Sequence, residues 1–165
     1  MSPRQEEVFI IVDKDDNIID YQPRSITHKK RLLHRTVAVI VFNDKGEVLL
    51  QKRSMNVDTQ PGLYTLSATG HVSQGETYEE AAQRELLEEV GVETNNLKLE
   101  LKMVKDFPAH YEMQSFYTTL SNGPFKFPKK DIEKLEFVPV NKLPEYFSKS
   151  TATIRILYND ILKRK

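Results

Sequence analysis

Residues 70–92 read GHVSQGETYEEAAQRELLEEVGV. From Thr77 to Val90 the apolar residues recur with helical spacing, and Gly91 follows as the residue type that commonly ends a helix. Thr77, with Glu80 three positions later, is typical of a helix N-cap and its capping box. The segment therefore predicts a helix that starts at Thr77 and stops before Gly91.

Three carboxylates share one face of this predicted helix. At about 100° per residue, Glu85, Glu88 and Glu89 fall within an arc of about 100°. Like charges at these spacings repel, so the arrangement stabilises a helix only if a cation lies among them. Oxygen ligands with room for water suit Mg²⁺ or Mn²⁺. The opposite side, which we expect to face the core, carries Leu86, Leu87 and Val90.

A basic residue stands beside these acids. Arg84 lies four positions before Glu88 and can also reach back toward Glu76, which precedes the helix. Either Arg84 fixes the orientation of the carboxylates, or it forms an ordinary helix ion pair worth a few tenths of a kcal/mol.

The spacing of these residues resembles the Nudix box. Gly70 is followed after five residues by Glu76 and after seven more by REL-x-EE-x-GV, so every defining position is filled. The resemblance implies an α+β fold, an αβα sandwich around a mixed sheet. It also implies a metal-dependent enzyme that hydrolyses a diphosphate linked to another moiety, usually a nucleoside. By position, the metal ligands are Glu85, Glu88, Glu89 and the Gly70 carbonyl, and Arg84 with Glu76 is the orienting pair.

Hydrolysis also requires a group that accepts the proton of the attacking water. In this family that carboxylate comes from the box or from a loop elsewhere. Glu88 or Glu89 is the first choice. Other candidates are Glu112, Asp131 and Glu133, whose positions are equally compatible with a surface role.

The rest of the chain predicts strands and one more helix around the box, within a single domain of residues 1–165. An N-terminal hairpin is expected at about residues 8–21, because two β-branched runs flank the turn-rich segment 13–17. Further strands are expected at residues 36–42, 47–52, 97–105, 114–120 and 135–140, and a closing helix at about 151–163.

Outside the box, residues 8–120 are similar to isopentenyl-diphosphate isomerases and the hydrolases nearest them. In those isomerases, three histidines and two carboxylates bind a metal. This chain has four histidines, and all of them fall near those places. A histidine is often purely structural, so a metal role and a structural role both stay open. The residues at the matching places are His28, His34, His71, His110 and Glu112.

Two departures argue against isomerase activity. The isomerases have a catalytic cysteine immediately before the Gly-His of the box, where this chain has Thr69. A hydroxyl does not readily perform the proton transfer of a thiol. The isomerases also have an incomplete box, whereas this one is complete. The sequence therefore predicts a hydrolase on an isomerase-like branch. The alternatives are an isomerase and a non-catalytic sensor of nucleotide ligands.

Composition limits the partners. The 24 Lys and Arg balance 24 Asp and Glu, which gives no overall attraction to a nucleic-acid polymer or an anionic membrane. Cysteine is absent, which excludes disulfides and thiolate metal sites. No run approaches 18 apolar residues, and the N-terminus lacks the apolar core of a secretion signal, so we expect a cytoplasmic protein. Oligomeric state is not defined by the sequence, although a homodimer is common on the implied fold.

The substrate is expected to be a small-molecule diphosphate. Basic and aromatic residues near the predicted strands either hold its phosphates and base or are surface and core residues. The candidates for substrate binding are Arg35, Lys52, Arg53 and Tyr64.

Overall fold

The computed structural model describes residues 6–108 and 110–164. Within these ranges the strands are β1 (Val8–Val12), β2 (Ile18–Pro23), β3 (His34–Phe42), β4 (Val48–Arg53), β5 (Tyr64–Thr65), β6 (Ala68–His71), β7 (Lys98–Phe107), β8 (His110–Leu120) and β9 (Ile132–Val138). The helices are α1 (Arg24–Lys29), α2 (Tyr78–Val90) and α3 (Ala152–Ile156), with a 3₁₀ segment at Val140–Lys149 and a π-helical segment at Leu157–Leu162. None of the described helices is both long and apolar enough to cross a lipid bilayer.

Strand β3 is the centre of one mixed sheet. It pairs in parallel with β8 along its whole length, from His34 opposite Glu112 to Phe42 opposite Leu120. It pairs antiparallel with β1, β4 and β6. Because β3 touches so many strands, residues far apart in the sequence meet along it.

The alternation of side chains in β3 divides the core into two layers. Val37, Val39 and Val41 belong to the apolar cluster on the α2 side. Ala38 and Ile40 belong to the cluster that contains the C-terminal helical segments. All five are fully buried, as expected for a strand covered on both faces. Helices on both faces of a mixed sheet form the αβα sandwich, so the predicted α+β fold is confirmed.

The N-terminal hairpin consists of β1 and β2, which pair antiparallel and extend to Pro23. The turn between β3 and β4 has the predicted chemistry, since the Asn43 side chain accepts hydrogen bonds from the backbone N–H groups of Lys45 and Glu47.

Several parts of the chain differ from the expectations, and β9, at Ile132–Val138, lies two to three residues before the strand predicted at 135–140. The predicted C-terminal helix at about 151–163 corresponds to two shorter segments, α3 and the π-helical turn that follows it. Helix α1 was not predicted, because its six residues lie in a basic stretch without a clear apolar period. Strand β8 begins at His110, earlier than expected, because it pairs with β7 over nearly its full length.

Candidate metal and active site

Helix α2 carries the acidic residues, and its ends form as predicted. The Thr77 hydroxyl accepts a hydrogen bond from the Glu80 N–H, and the Glu80 carboxylate accepts one from the Thr77 N–H. Gly91 ends the helix in the left-handed conformation at φ 73°, which favours glycine. The caps at both ends fix the start and stop of the helix and therefore the positions of its glutamates.

The two faces of α2 differ from the prediction in one residue. Leu86 and Val90 are fully buried against the sheet. Leu87, which was expected to face the core, is 50% exposed, so that expectation was wrong. Leu87 lies at the edge of the buried face of α2, where the helix is covered by solvent and not by another element.

Gly70 on β6 lies directly against Glu85. A Cβ atom at position 70 would lie 2.1 Å from both Cδ and Oε1 of Glu85. Only a residue without a side chain allows this approach, so Gly70 is needed here for space rather than for an unusual φ. The Glu85 carboxylate is consequently held against the backbone of β6.

Glu89 lies one turn later and is also held by the sheet. Its Oε2 accepts a hydrogen bond of 2.8 Å from the backbone N–H of Thr69. Its Oε1 accepts one of 3.1 Å from Nε2 of Gln51, a buried residue of β4. Glu88, by contrast, is largely exposed, and its one ion pair within the described part of the chain is a long contact of 3.5 Å with Arg84 Nη1.

Arg84 connects these elements. Its Nε and Nη2 form two hydrogen bonds with the Glu76 carboxylate, at 2.6 and 3.0 Å. Its Nη1 donates to Glu85 Oε1 at 2.8 Å, and Nη2 also donates to the His71 carbonyl at 3.0 Å. The predicted Arg84–Glu76 contact is therefore present, and it joins α2, the loop before it and β6.

The electrostatics of the two held glutamates favour a bound cation. Burial raises the pKa of Glu85 to about 7, and it raises the pKa of Glu89 to about 8, with a further contribution from the Glu85 charge. Two carboxylates so close together and largely shielded from solvent resist ionisation unless enough positive charge compensates them, and Arg84 contacts Glu85 rather than Glu89. A divalent ion supplies that charge, so the donor set fits Mg²⁺ or Mn²⁺.

A second cluster lies on the other side of β6. His28, His34 and His71 offer nitrogen atoms that all lie within 4.8 Å of one another. The His34 and His71 rings stack with centroids 5.3 Å apart, and Phe9 stacks on His71 at 4.0 Å. The three histidines come from α1, β3 and the end of β6, and the sheet brings them together.

One nitrogen of this cluster has no partner among the described residues. His34 Nδ1 lies 2.8 Å from the Leu32 carbonyl, and its buried Nε2 makes no hydrogen bond. Burial lowers the pKa of all three histidines, that of His71 to about 3. Neutral imidazoles with one ring nitrogen oriented by a carbonyl are typical metal ligands, so the cluster fits a metal ion.

The other two predicted ligands form a separate group. His110 Nδ1 lies 3.2 Å from Glu112 Oε1. Lys105, a buried residue of β7, contacts Glu112 Oε2 at 3.0 Å, and the Thr36 hydroxyl donates to the same oxygen at 3.2 Å. Burial alone would raise the pKa of Glu112, but the His110 contact and the Lys105 charge outweigh it and hold that pKa far below its usual range.

The substrate-binding candidates do not lie together. Arg53 lines the cavities described below, with its guanidinium held by the carbonyl and hydroxyl of Thr59. The other candidates do not line them. Arg35 pairs with Asp16, Lys52 pairs with Glu133, and Tyr64 packs in the core cluster on the C-terminal side.

Two cavities adjoin the candidate site. One, of about 290 Å³, has Gly70, Glu85, His71 and Glu112 in its wall, so the acidic site and the histidine cluster open into the same space. The other, of about 550 Å³, is lined by all three predicted metal-binding glutamates of α2. The basic residues Arg24 and Arg53 line both cavities, and Lys130 and Asp131 line the larger one.

Several contributing residues were not identified from the sequence. Lys105 and Gln51 are buried beside the site, and each occupies an inward position of a strand where a polar residue interrupts an apolar pattern. That interruption is the signal that could have identified them.

Known proteins resemble this chain over most of its length. The sequence model of the NUDIX domain matches residues 32–157. An isopentenyl-diphosphate Delta-isomerase of Serratia proteamaculans is 28% identical over 167 residues, covering 96% of this chain and 90% of its own. An uncharacterised Nudix hydrolase of Pseudomonas aeruginosa is 28% identical over 132 residues, covering 80% and 78%. A crystal structure from Deinococcus radiodurans matches with a TM-score of 0.77 and 22% identity, covering 92% and 97%.

Proposed function

The chain belongs to the Nudix family, as its sequence predicted, and on that premise we propose that it is a metal-dependent hydrolase. It cleaves a diphosphate linkage in a nucleoside diphosphate linked to another moiety, with Mg²⁺ or Mn²⁺ as cofactor. The observation that carries this proposal is the pair of Glu85 and Glu89, largely removed from solvent and held against β6 beside a cavity, in which Arg84 pairs with Glu85 and no described residue forms an ion pair with Glu89.

Four groups would hold the metal. Glu85 and Glu89 are positioned by Gly70 and Thr69 on β6, and Glu88 lies on the same face of α2 with an accessible carboxylate. The Gly70 carbonyl is the fourth. Arg84, fixed by its two hydrogen bonds to Glu76, prevents Glu85 from turning away. These contacts keep the ligands in place before substrate binds.

The chemistry divides between the cofactor and the chain. A bound divalent ion neutralises diphosphate charge and acidifies the attacking water. Glu88 or Glu89 accepts the proton of that water. Both oxygens of Glu89 are occupied by hydrogen bonds, whereas Glu88 has the more accessible carboxylate. Arg53, on the cavity wall, binds phosphate oxygens of the substrate.

The partner is accordingly a small molecule. The cavities of about 290 and 550 Å³ suit a nucleotide-sized ligand, and the balanced charge of the chain offers no broad basic surface for a nucleic-acid polymer. We propose a cytoplasmic location and a homodimer as the form of the enzyme.

Substitution of single carboxylates tests the hydrolase. Glu88→Gln and Glu89→Gln should each lower turnover by about 10²-fold or more, because each removes a charge from the metal site. Glu79→Gln is the matched control, since Glu79 is an exposed glutamate in the first turn of the same helix. The assay follows phosphate-containing products from nucleoside diphosphate derivatives, dinucleoside polyphosphates and NADH with Mg²⁺ or Mn²⁺. Absence of product from the whole panel would contradict the proposal, and ligand binding without hydrolysis would instead favour a sensor.

Two observations favour a second function. The isomerase relative aligns with nearly the whole chain, and three histidines cluster as a metal site would require. Thr69 lies in the cavity wall at the position of the isomerase cysteine and lacks its acidity. Incorporation of solvent deuterium into isopentenyl diphosphate would establish the isomerase, and its absence would remove it.

A further inference from the structure

Both oxygens of the Glu112 carboxylate have hydrogen-bond partners among the neighbouring residues. Lys105 Nζ and the Thr36 hydroxyl contact Oε2, and His110 Nδ1 lies within hydrogen-bond distance of Oε1. Lys105 and Glu112 are direct partners in the β7–β8 register, so the backbone holds the pair together. Both residues are less than 10% exposed.

Removing Glu112 from this pair would be unfavourable. Lys105 is buried, and Glu112 is the acidic side chain with which its ammonium pairs. A largely buried ammonium that loses its carboxylate is destabilising, because the attraction between the two charges is lost while the ammonium stays mostly removed from solvent. A metal ion that took Oε2 of Glu112 as a ligand would have to displace Lys105, and one that took Oε1 would have to displace His110.

The histidines, in contrast, form a compact donor set without a carboxylate. Among the described residues, the group whose ligand atoms lie within 4.8 Å of one another consists of His28, His34 and His71. His34 Nε2 is buried and lacks a hydrogen-bond partner, which is the second, independent indication of a ligand there. His110 and Glu112 lie in the wall of the same cavity but in the Lys105 group.

We propose that Lys105 withholds Glu112 from the histidine cluster, which makes the cluster a three-nitrogen site for a transition metal such as Zn²⁺ or Co²⁺. This inference shares with the second candidate function the premise that the histidine cluster binds a metal, and it is independent of hydrolysis. It departs from the ligand set of three histidines and two carboxylates that the isomerase resemblance implied.

The proposal has a consequence for metal selection. Imidazole ligands suit Zn²⁺, Co²⁺ and Ni²⁺, whereas carboxylates suit Mg²⁺ and Mn²⁺. The helix α2 and the histidine cluster would then hold different metals on the two sides of β6. Lys105 is a positioning residue in this arrangement, because it acts on the metal only through Glu112.

Binding of Co²⁺ provides a readout that needs no substrate. Purified full-length protein is first saturated with excess Mg²⁺, which fills the oxygen site of α2. Co²⁺ is then titrated, and its visible absorption reports the number and type of ligands. His28→Ala, at an exposed position, should lower Co²⁺ affinity by about 10²-fold or more, because it removes one of three ligands.

The decisive variant is the charge-balanced double substitution Lys105→Met with Glu112→Gln. It removes both members of the ion pair and so leaves no buried charge unpaired. Co²⁺ affinity should stay within about threefold of the wild-type value, and the Co²⁺ spectrum should not change. Mutation even of a residue that only orients a ligand typically lowers metal affinity by roughly 10–100-fold. A larger loss would show that Glu112 is a ligand and would overturn the proposal.

The single substitution Lys105→Met tests whether Glu112 becomes a metal ligand once its lysine partner is removed. Release of Glu112 should add an oxygen ligand, raise Mn²⁺ affinity about tenfold and weaken the Co²⁺ absorption as coordination number increases. Lys102→Met is the matched control, since it removes an ammonium from the same strand that pairs instead with Asp16. Unchanged Mn²⁺ affinity in a folded Lys105→Met protein would overturn the proposal, and if that variant does not fold, the double variant decides. Wild-type protein that binds no Co²⁺ in excess Mg²⁺ would also overturn it while leaving the Mg²⁺-dependent hydrolase intact.

Discussion

Replacement of Gly70 by alanine would test whether the close approach of β6 to Glu85 matters for metal binding. The new Cβ would lie 2.1 Å from the Glu85 carboxylate, whereas ordinary contact begins at 3.4 Å. The carboxylate must therefore move by at least 1.3 Å, the difference between these distances. A displacement of about 1 Å in an active site typically lowers turnover by about 10²-fold. Because Gly70 is not in the left-handed region, alanine adds no backbone strain, and the melting temperature should change little.

Two measurements separate the local effect from unfolding. Mn²⁺ binding, followed by electron paramagnetic resonance, needs no substrate and should weaken about 10–100-fold. Turnover is measured on the compound of the panel that the wild type hydrolyses fastest. Gly46→Ala is the control, because a Cβ there meets nothing within 4 Å but the φ of +75° is unfavourable for alanine. That variant should lose about 1 kcal/mol of stability and retain Mn²⁺ binding.

The opposite pattern would refute the reasoning. If Gly70→Ala binds Mn²⁺ and turns over as the wild type does, the position of Glu85 against β6 is not required. If its stability falls as far as that of Gly46→Ala while Mn²⁺ affinity is unchanged, the close contact serves packing alone.

Three further predictions concern helix α2. From about pH 7.5, where His28, His34 and His71 have largely lost their protons in the unfolded chain as well, to about pH 9, the metal-free protein should lose about 1 kcal/mol of unfolding free energy. The reason is that native Glu85 and Glu89 retain protons that the unfolded chain has released. Urea titrations in EDTA at several pH values measure the unfolding free energy, and a value that does not change with pH would contradict the prediction. Thr77→Ala should cost about 1 kcal/mol, because it removes the capping box, with turnover unchanged; denaturation midpoints check it. Arg84→Lys should lower kcat about 10–100-fold, because lysine lacks the planar fork that binds Glu76 twice; a kcat equal to wild type would show that the fork is dispensable.

Local signals predicted helix α2 and its carboxylates well. Thr77, Glu80 and Gly91 act on neighbours within a few residues, so their roles are readable from spacing alone. Arg84 and Glu76 also meet as expected, because about two helical turns and a short loop determine the distance between them. The family and the α+β fold followed from the same short segment.

Contacts between distant strands could not be predicted in this way. Lys105 meets Glu112 only because β7 and β8 pair in one particular register. Tyr64 was considered for base stacking, but the neighbouring Tyr146 covers it edge-on, which no local pattern indicates. Arg35 faces Asp16, whose left-handed turn conformation brings its carboxylate to the guanidinium.

Strand β6 constrains how this protein can vary. Thr69 bonds Glu89, Gly70 lies against Glu85, and His71 joins the histidine cluster, so three successive residues serve two sites. Neighbouring residues of a strand point to opposite faces. An insertion or deletion of one residue in β6 would therefore turn His71 away from the cluster and misplace the glycine at the same time. Single residues of either site can be substituted without affecting the other site. A change in the length of β6, however, would disrupt the glutamate site and the histidine cluster together.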